Sequence, residues 1–217
     1  VTARPPLVVF LHGMARSRHS MRGIRARVAG AGYDTWARTY PSRRMPLEQL
    51  AETVADWIRQ QADGRQVLGV THSLGGVLAR QMQGLLPWRG LVMVAPPNAG
   101  SRVAARLRDR PLFRWVYGPA GQQVAGPGDW PLPRCPFAVI AGTRGLALGN
   151  PTSWLTRALG ILPPDVPSDG TVAVDEARLP GMTHFATVDA SHTWILDHPR
   201  TRELVLGYLA RFRAAVV

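Results

Sequence analysis

Short, uninterrupted apolar runs that alternate with stretches of helical periodicity constrain this chain more than any other feature. Leu7 to Leu11, Leu91 to Ala95 and Phe137 to Ala141 are runs of this kind, Gln66 to Val70 reads as a strand that is apolar after its first residue, and Phe185 to Val188, interrupted by Thr187, adds another near the end. A strand with no polar face must be covered on both sides. Asp34 to Tyr40 reads as a further strand, stopped by Pro41. Between the strands, Ser20 to Gly30 places Met21, Ile24 and Val28 at helical spacing. Pro46 to Gln61 carries Leu47, Leu50, Val54 and Ile58 as one stripe behind a first-turn proline. Leu74 to Leu85, Val103 to Arg108 and Thr201 to Phe212 complete the helical segments. Strand and helix in alternation imply βαβ units, hence an α/β protein with a parallel sheet between two helical layers.

Composition agrees with one domain over residues 1–217. The chain is long enough to bury such a sheet, with 46% hydrophobic and 18% charged residues. Its net charge is +12, and all 26 basic residues are arginine. They are spread along the chain without the aromatic interleaving of single-strand binders, so no nucleic-acid partner is expected. An Arg-only, Ala/Gly/Pro-rich chain fits the codon bias of a GC-rich genome, and weak contact with an anionic membrane surface stays open. Cys135 is the single cysteine, which excludes an internal disulfide and a thiolate metal cluster. No apolar run has the length of a membrane span. The first residues lack a signal-peptide pattern, so the expected location is the cytoplasm. Because the sequence begins at Val1 rather than Met, a secreted or periplasmic protein with its leader removed remains an alternative. Nothing in the sequence addresses oligomeric state.

Two passages break the alternation: residues 96–136, read as one helix followed by Pro/Gly-rich chain, and residues 144–170, read as irregular. Both follow strand C-termini, the edge at which open α/β sheets bind ligands. Passages of that length in a compact domain are commonly functional.

At the same edge lies Val67-Leu-Gly-Val-Thr-His-Ser-Leu-Gly-Gly, where an apolar strand gives way to a helix at Ser73. A serine hydroxyl is a weak nucleophile that needs a base for its proton and donors for the oxyanion its attack creates. A tight strand-to-helix turn lifts the hydroxyl clear of the sheet and aims the first helical N–H groups at the reacting carbonyl. Such a turn presses its neighbours against adjacent elements and calls for small residues on either side. Thr71 and Gly75 stand two residues before and after, with Gly76 next.

Thr71-His72-Ser73-Leu74-Gly75-Gly76 resembles the nucleophile elbow of α/β-hydrolase lipases and esterases, commonly Gly-His-Ser-x-Gly-Gly, with Thr71 in place of the first glycine. Leu11-His12-Gly13-Met14 resembles the oxyanion loop of that family. The resemblance implies that the N–H groups of Met14 and Leu74 bind the oxyanion, while His12 braces the loop. Ala95-Pro-Pro-Asn-Ala-Gly-Ser101 is similar to a stretch of bacterial lipases that shapes the pocket floor. Ser168-Asp169-Gly170-Thr171-Val172 resembles the segment that carries the acid, ahead of Asp165, Asp175, Glu176 and Asp189. For the base, the family's chain order points to His192, on the loop after the last strand. His184 stands at the wrong end of that strand, and His198 lies farther on.

The resemblance spans Leu7 to about Phe212 and is strongest toward bacterial small lipases and esterases, including the branch related to inositol deacylases. It implies an α/β-hydrolase fold with a mostly parallel sheet and a minimal cap at about residues 99–136. The implied reaction is hydrolysis of a small-molecule ester by Ser73, His192 and Asp169 through an acyl-enzyme, with no metal or organic cofactor. A short cap suggests an open pocket for short to medium acyl chains, with Trp115, Trp130 and Trp154 as lining. Arg16 and Arg18, beyond the oxyanion loop, read first as a solvated charged pair and second as a seat for phosphate or carboxylate. Thioesterase, amidase or acyltransferase activity uses the same triad. A catalytically silent binding module is the alternative from outside enzymology.

Overall fold

The computed structural model describes residues 4–214. Six strands form one sheet in the order β2-β1-β3-β4-β5-β6. They are β1 (Leu7–Leu11), β2 (Thr35–Ala37), β3 (Val67–His72), β4 (Trp88–Val94), β5 (Phe137–Gly142) and β6 (His184–Val188), and every pairing is parallel. Parallel strands need crossovers, and helices supply them: α1 (Arg22–Ala29), α2 (Leu47–Ala62), α3 (Leu74–Gln81), α4 (Arg102–Leu107), α5 (Pro111–Val124), α6 (Pro151–Ala158), α7 (Val174–Ala177) and α8 (Pro199–Ala214).

Strand β1 shows why the apolar runs have no polar face. Val8 and Phe10 point to one side, where they join Met21, Ile24 and Val28 around α1 and Val205, Leu209 and Phe212 of α8. Leu7, Val9 and Leu11 point to the other, against Leu50, Val54 and Ile58 of α2 and Leu78 of α3. Successive side chains alternate across the sheet, so two helical layers each take half of one strand. Burying each such aliphatic side chain contributes about 1.5–3 kcal/mol. Helix α2 carries the stripe its periodicity predicts, from Leu47 through Ala62, with Pro46 standing just before the first turn.

The structure departs from the sequence reading in the two long passages. Residues 118–136, expected to be irregular, begin inside α5, which is broken at Gly118 (φ 60°) and resumes at Pro119. Gly and Pro argue against a helix by propensity, yet a proline costs nothing where a helical segment starts. Phe113, Ala120 and Val124 bury α5 against Leu47 of α2 and Val77 of α3. Packing therefore overrides propensity. The break is specific to glycine, because a Cβ at Gly118 would lie 1.8 Å from the Arg43 carbonyl oxygen. Polar contacts fasten the same helix to the first turn of α2: Gln123 accepts from Leu47 N–H at 2.7 Å and donates to Glu48 at 2.9 Å. Residues 144–170 likewise contain α6. Cys135 is half-buried, and burial pushes its thiol up to about 11. Among the described residues no helix is long and apolar enough to cross a membrane.

Candidate active site

The C-terminal ends of β1, β3, β5 and β6 bring together loops that are far apart in sequence. Ser73 sits between β3 and α3 with φ 52° and ψ −123°. Non-glycine residues seldom hold a positive φ, and such strain persists only where the surroundings enforce it. Here the Ser73 N–H donates to the Val94 carbonyl of the neighbouring strand at 2.9 Å, and its own carbonyl accepts from Gly76 N–H at 2.9 Å. The small residues of the motif have a steric cause. A Cβ at Gly75 would lie 2.4 Å from the Leu11 carbonyl oxygen, so the elbow can approach β1 only with glycine there. Thr71 is accommodated beside Gly76, but among the described residues its buried Oγ1 finds no hydrogen-bond partner.

His192 reaches Ser73 from the loop after β6. Its Nε2 lies 3.0 Å from Ser73 Oγ, and its Nδ1 lies 2.6 Å from Asp169 Oδ2. Asp169 is buried, and its second oxygen accepts from the N–H groups of Thr171 at 2.9 Å and Val172 at 2.7 Å. A carboxylate so held is an acceptor on both oxygens, which fixes the proton of His192 on Nδ1 and leaves Nε2 free to accept from Ser73. Main-chain contacts hold the pair as well: His192 N–H donates to the Asp169 carbonyl at 3.0 Å.

The competing groups stand elsewhere. Asp189 pairs with Arg144 at 2.7 Å, Asp175 pairs with Arg102, and Glu176 accepts from the N–H groups of Arg102 and Ala173. His184 stacks on Tyr208, and His198 accepts from Arg200 N–H. His12 stacks on Tyr40 at 3.8 Å, bonds Gly13 O through Nδ1 and accepts Tyr40 N–H at Nε2, and burial lowers its pKa. These contacts make His12 a brace of the β1 loop.

Beside Ser73 opens a cavity of about 830 Å³, within the size range of small-molecule sites. Met14 and Leu74 border it next to the serine, and Pro97 and Ser101 of the segment after β4 line it too. Its apolar wall comes from Leu107 of α4, Phe113, Val116 and Val124 of α5, and Leu155 and Leu159 at α6. The three tryptophans expected in this wall are not among its lining residues, which corrects that expectation. Trp115 turns outward and is 74% exposed on α5, one position from Val116, which faces in. Trp130 stacks under the Arg80 guanidinium, and Trp154 donates its indole N–H to the Ala147 carbonyl. The insertion thus supplies much of the wall of a sizeable cavity.

Two residues at the site had no assigned role in the sequence reading. Asn150, buried, donates from Nδ2 to the Asp169 carbonyl at 3.3 Å and borders the cavity. His72 is buried behind the serine, with Nε2 3.1 Å from the His192 carbonyl oxygen. A carbonyl only accepts, so His72 carries its proton on Nε2. Burial, with the nearby His192 and Arg16 adding to it, holds the His72 pKa well below 6.5, and its buried Nδ1 has no partner. His72 lay in the motif already quoted, whereas the contact of Asn150 depends on a loop course that no local pattern encodes.

No known family model matches the sequence, and no curated protein matches it. Solved structures do match in shape. The mature form of the lipase BlEst2 from Bacillus licheniformis superposes with a TM-score of 0.74 at 19% identity, covering 99% of this chain and 94% of that one. The metagenomic carboxyl esterase MGS0156 gives 0.74 at 18% identity, over 98% of this chain and 76% of that one. The RedJ thioesterase from Streptomyces coelicolor gives 0.54 at 17% identity, over 97% and 91%. Likeness of this extent shows that the chain has the α/β-hydrolase fold.

Proposed function

We propose that this protein is a serine hydrolase that cleaves carboxylic esters of small molecules through an acyl-enzyme. One observation carries the reading: Ser73, His192 and Asp169, from three separate loops, form a continuous chain of contacts of 3.0 and 2.6 Å, and Ser73 and His192 line an apolar cavity. Ser73 Oγ attacks the ester carbonyl as His192 Nε2 takes its proton. The N–H groups of Met14 and Leu74 receive the oxyanion, Leu74 through the unsatisfied first turn of α3. Collapse of the tetrahedral intermediate expels the alcohol, which leaves with the proton from His192. Water then repeats the sequence on the acyl-enzyme, releasing the acid and freeing Ser73.

The strained backbone of Ser73 fits this role and suits no structural one, since the side chain caps no helix N–H. The cavity wall of leucine, valine and phenylalanine suits an acyl chain of medium length. Thioesters use the same acyl-enzyme, and the fold shared with a thioesterase makes them the second substrates to assay. A fluorophosphonate probe should label Ser73 in the wild type and leave Ser73→Ala unlabelled, with ester turnover lost in parallel. An unlabelled, folded wild-type protein would overturn the proposal and favour a silent binding module. Across p-nitrophenyl esters of increasing length, kcat/KM should peak at medium chains.

A further inference from the structure

The proposed mechanism leaves Arg16 at the site without a role. Arg16 borders the cavity together with Gly13, Ser73 and His192. Among the described residues its guanidinium makes no hydrogen bond or ion pair. The carboxylate whose field reaches it, Asp197, is paired with Arg202 at 2.6 Å. Burial lowers the Arg16 pKa, the mark of a cation partly stripped of water and incompletely compensated. A guanidinium in that condition presents a fork of donors that matches an oxyanion.

Its position says which part of a substrate it would meet. The apolar wall stands over α2 and α3, where Phe113 and Val124 pack with Leu47 and Val77. The field of Asp197 reaches Arg16, and Asp197 stands with Arg202 of α8 beside Gly23 of α1, where a Cβ would fall 2.8 Å from Asp197 Oδ1. An acyl chain belongs against the apolar wall, and the leaving group has to reach His192 Nε2, which borders the cavity together with Arg16. We propose, resting on the serine-hydrolase reading, that Arg16 determines specificity by receiving an oxyanion, phosphate or carboxylate, carried by the leaving group. The preferred substrates are then acyl esters of anionic alcohols. Arg110 also borders the cavity, but it is exposed and starts α5 on the apolar side.

Three esters that share one octanoyl chain test this: 1-octanoylglycerol, 1-octanoylglycerol 3-phosphate and 3-octanoylglycerate. Wild type should prefer at least one anionic ester in kcat/KM, and the two anionic arms distinguish phosphate from carboxylate. Arg16→Gln should cut that preference about tenfold to a hundredfold, chiefly through KM, as expected for loss of a charge-assisted hydrogen bond. Arg16→Lys should retain part of it, and Arg18→Gln, at an exposed position, all of it. No anionic preference in the wild type, a preference that survives Arg16→Gln, or one that falls in Arg110→Gln instead would overturn the inference while leaving the hydrolase reading intact. Absence of both ester turnover and Ser73 labelling would remove the two together.

Discussion

Replacing Asp169 by asparagine separates the acid's chemical role from its structural one. The side chain has three contacts: Thr171 N–H and Val172 N–H on Oδ1, and His192 Nδ1 at 2.6 Å on Oδ2. Asparagine keeps the first two, because its carbonyl oxygen accepts as the carboxylate does. At the third it places an NH₂, a donor, against Nδ1. The imidazole answers by moving its proton to Nε2, which then points an N–H at Ser73 Oγ and cannot take the serine proton. The expected loss in kcat is about 10⁴-fold, the scale found where this tautomer is reversed in Ser-His-Asp enzymes, equivalent to about 5.4 kcal/mol of transition-state stabilisation. Stability should change far less. Exchanging charge-assisted for neutral hydrogen bonds costs about 1–2 kcal/mol, a fall in Tm of a few degrees for a chain of this size. Asp169→Ala, by contrast, strands two N–H groups and the histidine, and should cost more than asparagine in Tm. Initial rates on p-nitrophenyl butyrate, together with thermal unfolding followed by circular dichroism, measure both quantities. A folded Asp169→Asn protein that keeps turnover within tenfold of wild type would refute the assignment of Asp169 as the group orienting His192.

Other perturbations follow from the same geometry. Thr71→Val removes a buried hydroxyl that lacks a partner at nearly constant shape. It should raise stability by about 1 kcal/mol, seen as a rise of about 2–4 °C in Tm, and a lower Tm would contradict the unsatisfied state of that oxygen. Histidines 12 and 72 are held neutral, with folded pKa values below the 6.5 of the unfolded chain. Their contribution is complete above pH 6.5 and is lost as pH falls, because the unfolded state binds the protons first. Each should add a slope of up to about 1.4 kcal/mol per pH unit below pH 6.5. Urea unfolding at stepped pH should show this, and His72→Asn should flatten the profile. Gly118→Ala sets a methyl 1.8 Å from the Arg43 carbonyl oxygen at a positive φ. It should lower Tm and displace α5, changing the acyl-length profile in the p-nitrophenyl ester series; an unchanged profile would show that the break does not set the wall.

The inner strands of the sheet were legible because their runs are apolar on both faces, a pattern that Leu7 to Leu11 shows without outside information, whereas the edge strands β2 and β6 are only partly buried. The elbow was legible for a related reason: Gly75 and Gly76 are demanded by close approach of backbone and neighbouring side chains, and glycines in that register are visible in the sequence. The wall of the cavity was not. Helix α5 contains Gly118 and Pro119, whose local preferences oppose a helix, and its stability comes from long-range contacts with Leu47, Leu74 and Val77. The tryptophans misled for the complementary reason. Size and apolarity suggested lining, yet the direction of a helical side chain depends on rotation about the helix axis, and on α5 that rotation aims Val116 inward and Trp115 at solvent. Asn150 reaches Asp169 through a loop whose path no periodicity foretells.

The fastening of α5 has a consequence for how substrates are sorted. Gln123 grips both the first N–H of α2 and Glu48, Arg43 donates to the Trp115 carbonyl, and the backbone at Gly118 lies flush on the chain at Arg43. These ties make the helix part of the masonry around Ser73, where a door would have hung on a single hinge. On the proposed hydrolase reading, an acyl chain meets a wall that is already in place beside Ser73.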